Sequence, residues 1–144
     1  MPLIHEDAQM LDAFTGSTFT LNEIYYVGEL LFRPAYSNCG LGQKLLVQLE
    51  HYIQSLGSYR KLTCATIVRP EDHPMRKFDY IPITRFLAQT HFAPLLGVTT
   101  SFMWQETDGV KRDHPMQFWI KNLICLSVVN RQIKSLPLFL GFCC

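Results

Sequence analysis

No stretch of this 144-residue sequence approaches the roughly 20 consecutive apolar residues needed to cross a bilayer, and positions 1–20 carry Glu6, Asp7 and Asp12 where a secretory leader needs an apolar run. A soluble, cytoplasmic protein is the expectation, with no membrane partner. No sign of charge dominates: thirteen Lys and Arg against twelve Asp and Glu give a formal net charge of +1, so the basic field that draws nucleic acid is missing. The cysteines Cys39, Cys64, Cys125, Cys143 and Cys144 form no CxxC pair and no His/Cys cluster at zinc spacing. They read as thiols of a reducing compartment. His5, His51, His91 and His114 are too scattered for a metal site, and no metal is expected. There is no internal repeat and no low-complexity linker, and the length suits one domain.

What is present is an alternation of strand-like and helix-like segments. From Pro2 to Phe14 the apolar spacing is loosely helical, and Thr15-Gly16-Ser17 breaks it. Phe19 to Arg33 is rich in aromatic and branched residues and is stopped by Pro34, which predicts a strand, or two with a turn near Asn22-Glu23. Gly42 to Leu56 sets Leu45, Leu46, Leu49, Tyr52, Ile53 and Leu56 three and four apart and ends before Gly57: a helix with its stop signal. Lys61 to Val68 is a short, mostly apolar strand suited to burial on both faces. Arg69 to Ile81, with Pro70, Pro74 and the adjoining Pro82, is an irregular loop. Ile83 to Thr90 follows as a helix with Pro82 at its first turn. Val98 to Gln105 and Met116 to Leu123 are strands joined through Thr107-Asp108-Gly109 and Asp113-His114-Pro115, an antiparallel hairpin with a connection longer than a tight turn. The order predicts an α/β (α+β) sheet whose first two clear strands are parallel and whose C-terminal end is antiparallel.

Between the first strand and the long helix lies Tyr36-Ser37-Asn38-Cys39-Gly40-Leu41-Gly42-Gln43. Glycines there let the chain turn sharply and leave the amides of Cys39 through Gln43 aimed in front of the helix. The unpaired amides and the macrodipole favour a phosphate at that place. An ordinary tight turn that caps the helix uses the same residues. The dinucleotide pattern GxGxxG is absent because position 45 is Leu, and the phosphate-loop pattern GxxxxGK is absent because Gln43 separates Gly42 from Lys44.

The run GELLFRPAYSNCGLGQKLLVQLEHYIQSLG resembles motif A of the GNAT acetyltransferase superfamily, in which a strand ends in a proline-containing turn, then (Arg or Gln)-x-x-Gly-x-(Gly or Ala), then a helix. TRFLAQTHFAPL looks like the later helix and turn of that family. VRPEDHP, GVTTSFMW and PMQFWIKNL look like a bacterial subgroup, so that the resemblance covers Ile24 to Leu123. It implies a mixed sheet with a parallel, splayed central strand pair, helices on both faces and an antiparallel C-terminal hairpin. It also implies acetyl-CoA as co-substrate and transfer of its acetyl group, by direct attack, to a primary amine on a small molecule or peptide. The pantetheine arm would lie along Leu31, Phe32 and Arg33, with the pyrophosphate on Ser37, Asn38, Cys39, Gly40, Leu41, Gly42 and Gln43. The sequence departs from the family pattern at four places. Ser37 replaces the Arg or Gln that opens the motif, and Asn38 a usual glycine; His91 replaces the Gly of a Gly-Phe pair, and Leu87 the tyrosine that often serves as general acid. Members of the family carry a further strand and one or two helices ahead of the segment near Phe19, where this sequence offers Met1 to Ser17. Residues 1–123 are thus expected to form the cofactor-binding domain. The apolar tail 124–144 is open to a packed strand, an association surface such as a homodimer contact, or sequence unrelated to the fold.

Acetyl transfer requires the amine to lose a proton, the thioester carbonyl to be polarised and the thiolate to be protonated. Glu29 is the candidate base, since the family often places a carboxylate on this strand that acts through water; a solvent-facing Glu is the plainer reading. Tyr80 and His73, in the irregular loop, are the candidate acids, and backbone amides near Phe32 could polarise the carbonyl. Arg69 and Arg76 are candidates for a CoA phosphate or for simple solvation. Cys64 reads as core, and Trp104, Trp119, Phe102 and Phe118 as core rather than ligand contacts. A non-catalytic acyl-CoA-binding module and an assembly domain completed by a partner remain the alternative functions.

Overall fold

The computed structural model describes residues 1–6, 8–29, 33, 39–70, 81–106 and 108–123. Its best-marked element by sequence is the helix Leu41–Ser55, here α2, preceded by a short helix Ala8–Asp12 (α1) and followed by Ile83–Gln89 (α3). Leu46, Leu49 and Ile53, at intervals of three and four, turn inward, while Leu45, Tyr52 and Leu56 stay exposed, so the apolar stripe is narrower than the sequence suggests. The end of α2 is closed by Gly57 at φ 75°, whose amide donates to the Gln54 carbonyl at 3.1 Å while Leu56 donates to Ile53 at 3.2 Å.

Among the described residues four strands make one sheet: β1 (Ile24–Tyr26), β2 (Lys61–Ile67), β3 (Ala93–Gln105) and β4 (Lys111–Asn122), in the order β1-β2-β4-β3. As expected, β1 runs parallel to β2, and β4 is antiparallel to both β2 and β3. Of the described part of the apolar run Phe19–Arg33, Ile24–Tyr26 is strand. A 3-10 turn over Leu21–Glu23 precedes it, where Asn22 and Glu23 fit a turn better than a ladder. The hairpin strands are longer than expected. Asp113, His114 and Pro115 lie inside β4, and the connection contracts to residues 106–110, where Glu106 donates to the Val110 carbonyl at 2.9 Å. Asp108 accepts the Val110 amide at 3.0 Å and both Arg112 guanidinium nitrogens at 3.0 and 2.7 Å. The Arg112 hydrogen bonds hold its carboxyl down at about 2. β3 begins early at Ala93 and loses register between Pro94 and Thr99, where proline cannot donate to the ladder.

Each sheet face buries its own cluster. Ile24, Tyr26, Val98 and Phe118 pack with Leu3, Met10 and Phe14 of the N-terminal segment and α1. Leu62, Tyr25, Cys64 and Trp119 pack with Leu46 and Ile53 of α2 and Leu87 of α3. Strand alternation explains the division: Tyr25 and Tyr26, Cys64 and Ala65, Phe118 and Trp119 each fall on opposite faces. Helices therefore cover both faces, and β2 exposes none of its residues, in keeping with its apolar sequence.

His91 adopts φ 67°, a left-handed angle at the end of α3 that seats the following Phe92 in the second cluster. It stands where the resemblance expects glycine, so the turn is kept and the histidine carries the strain, about 1–2 kcal/mol for an L-residue. His91→Gly relieves that strain but frees the unfolded chain by about 0.4–1 kcal/mol. A net gain of about 0.5–1 kcal/mol in urea unfolding is expected; a loss would mean that the imidazole itself holds the turn.

Candidate functional site

The site grows from the place where the parallel pair parts. β1 and β2 are in register from Ile24↔Lys61 to Tyr26↔Thr63, and among the described residues the last rung is the Val27 amide donating to the Thr63 carbonyl at 2.8 Å. β2 continues through Ile67, paired to β4 on its other side as far as Met116. Since Thr63 aims its carbonyl at β1, alternation aims the peptide groups of Ala65 and Ile67 the same way, and no described residue pairs with them. Val68 obeys the complementary rule, donating to the Pro115 carbonyl on β4 at 2.8 Å. Backbone donors and acceptors thus line an opening beside β2. An extended, amide-bearing ligand could pair with them as a strand would.

A cavity of about 1210 Å³ occupies this opening. Its walls come from both sheet faces. Tyr26, Ala65, Ile67, Trp104 and Met116 belong to the face of the N-terminal segment, whereas Thr66 and Trp119 belong to the face of α2 and α3, whose lip adds Pro82, Ile83 and Thr84. The space therefore passes through the plane of the sheet. It exceeds the roughly 300–1,000 Å³ of common small-molecule pockets, enough for the end of a long cofactor and a second reactant.

Glu29 lines this cavity and is exposed, three residues beyond the end of β1. It makes no ion pair with a described residue. Arg33 is exposed. Of the phosphate-loop candidates, Gly40 stands at φ 75° as the residue that opens α2, with no side chain of its own to cap the helix and open space where a Cβ would lie. Cys39, Leu41 and Gln43 are exposed and Gly42 half-buried. None of Cys39, Gly40, Leu41, Gly42 and Gln43 lines the cavity, so the structure unites Glu29 with the opening and sets the start of α2 apart from it. Leu31, Phe32, Ser37, Asn38, His73, Arg76 and Tyr80 lie outside the described residues, as does the tail 124–144.

Several groups at the cavity carry no sequence signal of their own. Tyr26 is buried and its hydroxyl is pushed up to about 12, chiefly by burial and further by Glu6, Cys64 and Glu29. It keeps its proton at any neutral pH. Cys64, also pushed up to about 12 by burial, stays a thiol and packs as core, as its position on β2 suggests. Beside Tyr26, Trp104 lines the cavity rather than filling the core, and Trp119 lines it while packing against the second cluster, whereas Phe118 is fully buried and Phe102 packs against the first cluster. The Trp119 indole donates to the Thr66 hydroxyl at 2.9 Å.

The Trp104 ring lies flat on His114, centroids 3.8 Å apart and planes 9° apart. His114 is buried, with Nε2 3.3 Å from Glu106 Oε1 but without the alignment of a hydrogen bond. The same carboxylate oxygen accepts from Arg69 at 3.1 Å. Arg69, which lines the cavity, therefore has its charge answered by a carboxylate only 6% exposed. These partners are far apart in sequence. Register Phe102↔His114 and the turn at 106–110 bring them together. Among the described residues no group of three or more His, Cys, Asp or Glu is placed to hold a metal ion, and no helix is long and apolar enough to cross a membrane.

No protein-family model matches the sequence, and no curated protein matches it. Solved structures do match in shape. The chain is similar to an acetyltransferase of the GNAT family from Streptococcus pneumoniae at a TM-score of 0.50 and 16% identity, over 69% of this chain and 51% of that one. It is similar to a GNAT-family protein from Desulfovibrio desulfuricans at 0.47 and 17% identity, over 71% and 54% of the two chains. It is also similar to an aminoglycoside 6'-N-acetyltransferase complexed with coenzyme A, at 0.48 and 15% identity, over 70% and 59%. The chain spans between 51% and 59% of the length of these structures. At such identities the similarity is one of architecture: with its parallel pair β1-β2, its antiparallel hairpin and helices on both faces, this chain has the fold of the GNAT acetyltransferases.

Proposed function

We propose that the protein is an N-acetyltransferase that moves an acetyl group from acetyl-CoA to a primary amine by direct attack. The observation that carries this reading is the parting of β1 from β2 at a cavity that holds a carboxylate, Glu29. The pantetheine arm would enter the gap and pair its amides with the peptide groups of Ala65 and Ile67, and with Leu31, Phe32 and Arg33 on the opposite side. The amides of Cys39 through Gln43, with Ser37 and Asn38, would take the pyrophosphate at the start of α2, which Gly40 opens.

In the transfer itself, the amine nitrogen gives up a proton to Glu29, directly or through water, and attacks the thioester carbon. A C–N bond forms, the C–S bond breaks and the departing thiolate is protonated, with Tyr80 and His73 as proton donors. Tyr26 is suited to a different task. At about 12, its hydroxyl is a weaker acid than a thiol near about 8.5, so it would hydrogen-bond the carbonyl oxygen or sulfur without giving up its proton.

Acetyl-CoA binding by calorimetry tests the reading. A carboxylate at residue 40 lies within a few ångströms of the proposed pyrophosphate, so Gly40→Asp is expected to weaken binding by about 10- to 100-fold. Gly40→Asn has nearly the same shape, tolerates the left-handed angle about as well and carries no charge, so it should stay within about threefold of the parent. Equal losses in both variants would sink the phosphate assignment, and no binding by the unaltered protein would sink the acetyl-CoA reading.

One observation favours a second reading, an acyl-CoA-binding or assembly module without turnover. Leu87, at the position of the family's usual tyrosine, is buried among Leu46, Ile53, Leu62 and Phe92 and offers no proton. Measurable coenzyme A release with any amine excludes it.

A further inference from the structure

The acceptor can be narrowed by the chemistry of the cavity wall. We propose that the site takes a monoamine carried on a flat, apolar body, an arylalkylamine, with the ring against Trp104 and the ammonium toward Glu29; this rests on the acyltransfer reading for the amine's fate, but not for its binding.

Three observations converge on that class. The wall on the face of the N-terminal segment is aromatic and apolar, from Tyr26, Ile67, Trp104 and Met116. Trp104 is also held in place: one side of the indole is covered by the parallel His114 ring, which is itself buried beside Glu106. A preorganised indole loses little freedom when a second ring packs on it, and aromatic pairing adds to the area buried. Charge then sets the polarity of the ligand. Among the described lining residues the only ionised side chains are Glu29 and Arg69, and Glu106 already answers Arg69. The uncompensated charge is the carboxylate, which complements one ammonium. A polyamine would bring a second cation toward described lining residues whose remaining charge is Arg69, and a carboxylic acid would meet Glu29.

The test measures amine binding by calorimetry in the presence of coenzyme A, which cannot transfer an acetyl group. Probes are 2-phenylethylamine, propylamine without the ring, 2-phenylethanol without the ammonium, and spermidine. 2-Phenylethylamine is expected to bind at least about tenfold more tightly than each of the others. Trp104→Leu should remove most of that advantage over propylamine while acetyl-CoA affinity holds, and Trp104→Phe should keep it. Spermidine or propylamine binding as tightly as 2-phenylethylamine overturns the proposal, as does a Trp104→Leu protein that keeps the preference. If Trp104→Leu does not fold, the ranking on the unaltered protein still decides. Failure of acetyl-CoA to bind would strike the acyltransfer reading alone, because the amine ranking is then repeated without coenzyme A and stands or falls by itself.

Discussion

Phe118→Ala is expected to lower the free energy of unfolding by about 3–5 kcal/mol, a large part of the roughly 5–15 kcal/mol that holds a domain together. Phe118 is 0% exposed on β4, the strand paired to both β2 and β3. Its ring meets Phe14 edge to face, centroids 4.9 Å apart and planes 70° apart, so it joins the N-terminal segment to the sheet. Removing it takes away the transfer energy of the ring and leaves a cavity that a strand paired on both sides cannot collapse to fill. Urea unfolding with an unchanged slope measures the loss. Phe118→Leu, which keeps much of the volume, should recover more than half of it. A cost under about 1 kcal/mol for the alanine variant would mean that the first cluster is not the true core of this sheet.

That cluster also marks what sequence alone can and cannot yield. α2 was legible because Leu46, Leu49 and Ile53 repeat at helical spacing and Gly57 stops them, and both signals are local. β2 was legible for the same reason: seven residues of mostly apolar sequence need burial on two faces. β1 was legible only in part: the turn near Asn22-Glu23 and the parallel pairing were expected, but strand propensity measures fit to neighbours, and among the described residues only Ile24 to Tyr26 pair with β2. The site divides in the same way. Glu29 could be singled out by its place before the loop in a run that resembles a known motif. Arg69 could be named as a candidate for a phosphate, but nothing local points to Trp104, His114 and Glu106 beside it, because the contacts that unite them depend on register between β3 and β4 and on an ion pair across 37 residues. A tryptophan in an alternating strand looks like core until the neighbouring strand pair is seen to part.

Glu29→Gln is expected to lower kcat by about 10²- to 10³-fold near neutral pH while acetyl-CoA affinity stays within about twofold. The ceiling follows from the acceptor. A primary amine with a pKa near 10 is about one part in a thousand deprotonated at pH 7, so a base that removes the proton as attack proceeds can supply no more than about that factor. The same arithmetic gives the sign of the pH dependence. As pH rises toward 10 the free amine accumulates without help, and the deficit of the variant should close to less than about tenfold. The Glu29 side chain is exposed and unpaired among the described residues, so stability should change by no more than about 0.5 kcal/mol, and a loss of rate cannot be laid to unfolding. A deficit near neutral pH that appears as a raised amine KM with kcat unchanged would assign Glu29 to holding the ammonium rather than removing its proton, and a deficit that persists undiminished at high pH would exclude both roles. A variant with full activity at pH 7 would remove the carboxylate from the chemistry, leaving bulk water as the base and the cavity's contribution as orientation alone.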